Sequence, residues 1–509
     1  MAKQQEELVE KPKRGRKKKE STGELVSAET PNSLITPSGD TQEQLNFIQA
    51  DIKSNIILKA TAGSGKTASA VKRVRYLLDN GVDPKKIIFF SYTTAAVNEF
   101  KKRLNNEEVK ITTIHAFCLG MLSRMKKFKE VVDIYQFIDW YNTKYKPRFN
   151  DSDEVKSEYY DLINQMYDDA QYIGSAITAY KLQTADKIKC VVPKFYNEYR
   201  AFLKEKKARD FSDMLIEINS LLSDNRWLNL FKGQYDHILI DEGQDTSTIM
   251  MKILLRLNAP YYTLILDTNQ SIYQYSGANA EAVIGMLKAR RDCQEMNLYI
   301  NFRSTPEIVE YTNKYSTLTA TAFKPAGGMV HKKIILLEDL IHILKDEHHV
   351  TILVRTNSVI RDIEKKLMMR KVVMKYNNYL TPKECEMLRK AEERPSTAKK
   401  AKALLPVFGT IDNAIQFIES CNSNPNVKSE ILTIHKSKGL EYPSVVLVNS
   451  VSPELLVENK IENLPEKTFK EVSFYNDDTD DPENFEARNV FFVGCSRAIH
   501  TLRFMIYGI

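Results

Sequence analysis

The segment that most constrains this chain is an apolar run, Ile56-Ile57-Leu58-Lys59-Ala60, that passes directly into Thr61-Ala62-Gly63-Ser64-Gly65-Lys66-Thr67. The run has strand length and composition, the small residues make a tight loop, and a helix is expected from about Ala68. That order is what a phosphate-cradling loop requires. Backbone N–H groups of the loop and the helix N-terminus face the anion, and glycine lets the backbone approach closely. Ala62, Gly63, Ser64 and Gly65 would line the loop, with Lys66 on the β- and γ-phosphates of a nucleotide and the Thr67 hydroxyl on Mg2+. Ala60 stands where the usual pattern opens with glycine.

Such a loop needs a second carboxylate to hold the metal. His237-Ile238-Leu239-Ile240-Asp241-Glu242 supplies one at the end of another apolar run. Asp241 would hold Mg2+ and Glu242 would polarise the attacking water as general base. The pair implies hydrolysis of a nucleoside triphosphate rather than its storage.

The rest of the chain fits an α/β protein. Strand-like runs recur at Ile87–Ser91, Tyr262–Leu266, Val350–Val354 and Ser444–Val448, several of them separated by longer amphipathic stretches, as in parallel sheets with crossover helices. With 509 residues, roughly two to four domains are expected. Two regions break the rhythm. Residues 118–205 are rich in Tyr, Phe, Lys and Asp at helical spacing, and residues 376–428 are again helical and polar. Residues 1–38 are charged and without periodicity, and read as a disordered basic arm. Within it, residues 11–19 (KPKRGRKKK) carry seven Lys or Arg, equal to the whole formal net charge of +7. Nonspecific attraction to phosphates is the expected role of that arm. The six cysteines form no CxxC pair, which favours free thiols over a zinc site. There is no apolar run of membrane-spanning length and no signal-peptide core, so a cytoplasmic protein is expected.

Short segments then specify the type of nucleotide hydrolase. In chain order they are Gln44, Ile88-Phe89-Phe90-Ser91-Tyr92-Thr93, Thr112-Thr113-Ile114-His115-Ala116-Phe117, Asp210-Phe211-Ser212-Asp213, Asp241-Glu242-Gly243-Gln244-Asp245, Asp267-Thr268-Asn269-Gln270, Asn301-Phe302-Arg303-Ser304, Thr433-Ile434-His435-Lys436-Ser437-Lys438-Gly439-Leu440-Glu441 and Val493-Gly494-Cys495-Ser496-Arg497. With the phosphate loop, this series resembles the UvrD/PcrA/Rep group of superfamily 1 helicases, block for block and in order, from about Thr41 to the C-terminus. The resemblance implies two RecA-like lobes with ATP in the cleft between them. The first lobe would comprise residues 39–117 and 206–290, with a helical insertion at 118–205. The second would comprise 291–375 and 429–509, with a reduced helical insertion at 376–428.

The resemblance also implies individual roles. Gln44 would read the adenine, Gly439 and Glu441 would border the nucleotide with Glu441 on the ribose, and Gln270 would sense the γ-phosphate. Arg303 and Arg497 would reach from the second lobe as arginine fingers. Single-stranded DNA would cross both lobes on Tyr92, Thr93, His115, Phe117, Tyr275, Arg355, Thr356, Asn357 and His435, where aromatic faces stack on bases and cations meet phosphates. In two places the sequence departs from the group: Ala95 stands for a lysine, and Ser276 for the arginine after the stacking aromatic. The lone tryptophans Trp140 and Trp227 fit core packing better than DNA stacking.

The implied function is an ATP- and Mg2+-dependent DNA helicase or translocase, moving 3′→5′ on single-stranded DNA and at junctions with duplex, as a monomer or weak oligomer. Replication or recombination proteins are the expected partners. The compact form and Lys/Asn/Tyr-rich composition suit a bacteriophage-encoded enzyme. Two alternatives stay open: a translocase that strips proteins from DNA but unwinds poorly, and a DNA-binding regulator switched by ATP.

Overall fold

The computed structural model describes residues 36, 39–148, 150–184, 192–273, 277–390, 395–451 and 482–508. The N-terminal basic arm (save residue 36) and the positions Tyr275 and Ser276 lie outside them.

Six strands build the first sheet: β1 (Asn55–Ala60), β2 (Ile87–Ser91), β3 (Lys110–Thr113), β4 (His237–Ile240), β5 (Tyr261–Leu266) and β6 (Cys293–Leu298). They lie in the order β3-β2-β4-β5-β1-β6, all parallel. Alternate residues serve opposite faces, and both faces are buried. Ile57, Ile88, Phe90, Ile238, Ile240 and Leu264 pack into one apolar cluster. Ile56, Leu58, Ile87, Phe89, Leu239 and Ile265 pack into another on the opposite side. Hence these strands read as continuous apolar runs. Because β4, β5 and β1 are neighbours and parallel, the loops that follow them emerge side by side at one edge, where α/β sheets place their ligands.

Two short strands, β7 (Ile300–Asn301) and β8 (Thr321–Ala322), pair with each other and follow the crossing out of the first sheet. The second sheet holds β9 (Met329–Ile335), β10 (Val350–Val354), β11 (Glu430–Thr433), β12 (Tyr442–Val451) and β13 (Ala498–Gly508), in the parallel order β11-β10-β12-β13-β9. Again both faces are covered, by Ile352, Val446 and Met505 on one side and Leu353, Val445 and Leu447 on the other.

The doubly covered α/β architecture is the one expected, but three boundaries move. The first sheet takes β6 from residues 293–298, so the chain leaves the first lobe after Leu298 rather than at 290. The helix Ile114–Arg124 sends Cys118, Met121 and Leu122 into the first lobe's core. A separate core begins only near Val132, where Phe137, Trp140, Ile163, Met166, Tyr199 and Phe202 pack together. Trp140 is buried there, donating from Nε1 to Glu205 at 3.0 Å. The stretch 376–428 forms short helices, yet Tyr376, Leu380, Cys385, Leu404, Ile415 and Ile418 share one cluster with β10 and β11. It thickens the second lobe and has no core of its own.

Candidate active site

The loop after β1 is built for close approach. Gly63 and Gly65 take positive φ of 72° and 77°, the left-handed region that glycine enters at no steric cost. Gly65 caps the helix Lys66–Asp79 without any side-chain hydrogen bond, so the first N–H groups of that helix are free of a capping side chain and point at the loop. The Ser64 hydroxyl turns back onto the Thr61 carbonyl at 2.8 Å. Gln44, buried in the preceding helix, donates to the Ser64 carbonyl at 3.1 Å. A side chain at Gly65 would meet that same amide at 3.0 Å. The adenine candidate and the phosphate candidates are therefore in contact.

The acids after β4 are crowded. Burial, then the neighbouring Glu242, pushes the Asp241 carboxyl up to about 7. Burial also pushes Asp245 up to about 7, against the pull of Lys438. For Glu242 burial opposes the charge, but Lys66, Lys438, the Gln244 amide and Arg497 outweigh it and hold the carboxyl below its usual range. Glu242 has φ of 52°, a strained value for a non-glycine residue and one that aims its side chain across the cleft mouth. Asp245 keeps one buried carboxylate oxygen with no hydrogen bond. This excess of buried negative charge, beside the Thr67 hydroxyl, fits Mg2+, a hard cation that takes oxygen ligands. Among the described residues no cluster of three or more His, Cys, Asp or Glu could hold a metal alone. That agrees with a Mg2+ held by one or two carboxylates and completed by phosphates.

From the other lobe come the cations. Arg497 precedes β13 and is fully buried; burial lowers its guanidinium to about 9. It donates to the Gln270 side-chain carbonyl at 3.0 Å, to the Leu440 carbonyl at 3.2 Å and to the Val493 carbonyl at 3.1 Å. Gln270 in turn donates to Asp267 at 2.6 Å, and Asp267 lies 3.7 Å from the Lys66 ammonium. A continuous polar chain thus joins Lys66 to Arg497 across the cleft. Arg303 pairs with Glu441 at 2.9 Å and donates to the Ser496 carbonyl at 3.0 Å. Its turn is fastened to the phosphate loop: Asn301 donates to the Ala62 carbonyl at 2.8 Å, and the Phe302 N–H to that of Gly63 at 2.9 Å. Gly439 sits in the left-handed region at φ 84° and leads to the exposed Glu441.

Beside these acids opens a cavity of about 780 Å³, lined by Tyr92, Thr93, His115, Phe211, Tyr273 and His435 among others. The Tyr92 and Tyr273 rings lie 5.0 Å apart, and Tyr273 and His435 5.7 Å apart. Burial pushes both His115 and His435 down, so each imidazole is held neutral. Arg355 and Thr356 are exposed at the end of β10, outside the cavity lining, and Asn357 starts the next helix. Arg355 is near enough to His435 to disfavour its protonation further. Phe117 is a correction. It is buried and packs edge-on against Phe90 at 5.3 Å, because it shares a helix face with Cys118 and Met121 that closes the first core. No ring face is left for a base.

Residues 40–293 match the family model of the UvrD/REP helicase N-terminal domain, and residues 383–508 match that of the UvrD-like helicase C-terminal domain. This chain belongs to the UvrD-like helicase family. It is 25% identical over 365 residues to a Mycoplasma capricolum protein named "Probable DNA helicase II homolog", covering 63% of this chain and 50% of that one. A Mycoplasma pneumoniae "Probable DNA helicase" is 25% identical over 495 residues, 90% of this chain and 81% of its own length. The "ATP-dependent DNA helicase PcrA" of Staphylococcus aureus is 26% identical over 279 residues, 51% of this chain and 37% of PcrA. The matches thus span about half the length of the first relative and little more than a third of PcrA.

Within this UvrD-like chain, sequence reasoning overlooked Asp267, Asn301, Lys438, Phe211 and Tyr273 as site residues. Each lies inside or beside a segment already singled out. What was missing is the cross-lobe pairing, which no spacing along one chain reveals.

Proposed function

We propose that this protein is an ATP- and Mg2+-dependent motor that moves 3′→5′ on single-stranded DNA and separates strands at junctions. The observation that carries the reading is the polar chain from Lys66 through Asp267 and Gln270 to Arg497. It makes the phosphate-binding lysine and a cation of the opposite lobe report on each other, as a motor that closes on its nucleotide requires. Mg2+, when bound, neutralises phosphate charge. Lys66 and the helix N-terminus bind the phosphates, Thr67 and Asp241 hold the metal, and Glu242 takes a proton from the attacking water. Arg303 and Arg497 stabilise charge on the phosphoryl group once the lobes close. DNA would occupy the aromatic cavity at Tyr92, Thr93, His115 and His435 and extend toward Arg355, Thr356 and Asn357.

The test is ATP turnover with and without single-stranded DNA, together with unwinding of duplexes bearing a 3′ tail, a 5′ tail or a fork. Single-stranded DNA should stimulate turnover, Lys66→Ala and Glu242→Gln should abolish it, and the 3′-tailed duplex should open first. Stimulation surviving in either variant refutes the site. One observation favours a second reading: residues 376–428 have no core of their own. A motor so reduced could displace proteins from DNA better than it unwinds, and a protein-displacement assay beside the unwinding assay separates the two.

A further inference from the structure

Lys438 has no role in the reading so far, yet its surroundings are unusually specific. It lies in the turn 434–441 that carries the chain from the end of β11 back to the start of β12. Its side chain is 9% exposed, so the ammonium is held by what it touches. It donates to Asp245 at 2.6 Å and to the Gln270 main-chain carbonyl at 2.7 Å, and it stands 5.2 Å from the Tyr273 ring centre. All three partners belong to the first lobe.

Each partner faces a different part of the site. Asp245 follows the hydrolytic acids, and its N–H donates to the Glu242 carbonyl at 2.9 Å. Gln270 is the residue bonded to Arg497. Tyr273 lines the aromatic cavity beside Tyr92 and His435. From the same turn, His435 reaches the neighbouring Ile272 carbonyl at 3.2 Å. The turn therefore grips the segment 270–273 at two points, one on the cavity side and one on the side of the acids. A guest that displaces Tyr273 or His435 must also displace Lys438, and with it the hydrogen bond to Asp245.

We propose that Lys438 is the positioning residue through which occupancy of the aromatic cavity by single-stranded DNA is read at the hydrolytic carboxylates. This rests on the motor reading above. Lys438 touches no reacting atom; it acts by setting Asp245, and through Asp245 the turn that bears Glu242. Buried charged hydrogen bonds of this kind are the ones whose loss is felt most. Breaking this one should lower a rate that depends on it by about tenfold or more.

The measurement is the ratio of ATP turnover with saturating oligo-dT to turnover without it, in the full chain. For Lys438→Met the ratio should fall about tenfold or more, with kcat carrying the change rather than the KM for ATP. Asp245→Asn removes the charge from the other side and should give a similar fall. The double variant should fall no further than the more affected single one, since both remove one interaction. A merely structural lysine would lower both rates together and leave the ratio as it was. A retained ratio in Lys438→Met, or fully additive falls, overturns the proposal. Should Lys438→Met fail to fold, Asp245→Asn decides alone: a lowered ratio supports the proposal and an unchanged one refutes it. A wild-type protein whose turnover DNA does not stimulate overturns the motor reading and this inference together; a stimulated wild type with an unchanged variant ratio overturns this inference alone.

Discussion

Asn301 joins the two halves of the site by one side chain, which makes its removal informative. Its Oδ1 accepts from the Arg303 and Ser304 N–H groups, both at 2.8 Å, while its Nδ2 donates to the Ala62 carbonyl at 2.8 Å. The residue is 5% exposed, so water replaces these bonds poorly. At about 1 kcal/mol for each of three hydrogen bonds, Asn301→Ala should cost about 3 kcal/mol. Chemical consequences should exceed the thermodynamic ones, since the turn that aims Arg303 loses both of its side-chain restraints. A misaimed finger of this sort lowers turnover by on the order of tenfold to a hundredfold. Asn301→Asp separates the two functions. It keeps the acceptors for Arg303 and Ser304 but sets an acceptor against the Ala62 carbonyl, so the KM for ATP should rise while kcat falls less than in the alanine variant. Urea unfolding followed by circular dichroism, with steady-state ATP turnover on the same preparations, reads both effects. An Asn301→Ala protein that unfolds within about 0.5 kcal/mol of the wild type and keeps its kcat and KM would refute the reasoning.

Three other outcomes follow from single positions. Gly63→Ala forces a Cβ into a left-handed backbone and sets it 2.7 Å from the Arg303 Cβ; ATP turnover should drop more than nucleotide affinity, as titration with a fluorescent ATP analogue would show. Burial, reinforced by Arg73, pushes the His237 imidazole down to about 4. The unfolded chain then binds the extra proton first, so stability is full above the ordinary histidine pKa and declines as pH falls from about 6.5 toward 4. The loss, at most about 3 kcal/mol, should shrink in His237→Gln when urea midpoints at pH 7 and pH 5 are compared. Trp140→Ala should cost about 3–5 kcal/mol within the helical insertion alone, exposing it to limited proteolysis while ATP turnover without DNA persists.

The lobes themselves were legible because a strand buried on both faces leaves an unmistakable apolar run. All six runs read from the sequence are strands, in β1, β2, β4, β5, β10 and β12. β6 was missed for a physical reason. As an edge strand its CQEMNL sequence buries little apart from Leu298, so it carries no apolar run to read. The helices of 376–428 misled in another way. Their polar exposed faces suggested an appendage, while Leu404, Ile415 and Ile418, spread thinly along the sequence, were serving a core supplied mostly by β10 and β11. Phe117 erred toward function because its segment did. In a helix the neighbour of an exposed residue can point inward, and His115 faces the cavity while Phe117 faces Phe90.

The character of the seam between the lobes bears on how such a site could work. Each lobe keeps large apolar clusters of its own, and from the first lobe Ala62 and Ile272 enter the second lobe's cluster. The other contacts described across the seam are polar: Lys438 with Asp245, Arg497 with Gln270, Asn489 with the Ser271 carbonyl at 3.0 Å, and His435 with the Ile272 carbonyl. Buried ionic contacts give little net stability, because desolvation offsets most of the attraction. A seam of this composition therefore commits the lobes to one arrangement only weakly. A ligand that contacts both sides needs just a few kcal/mol of differential affinity to shift the balance. Phosphates held by Lys66 and approached by Arg303 and Arg497 would supply it on one side of the segment 270–273, and stacked bases at Tyr92 and Tyr273 on the other. With Lys438 anchored to that same segment, the two ligands would be biasing a single shared element, which is the physical condition for their affinities to be coupled.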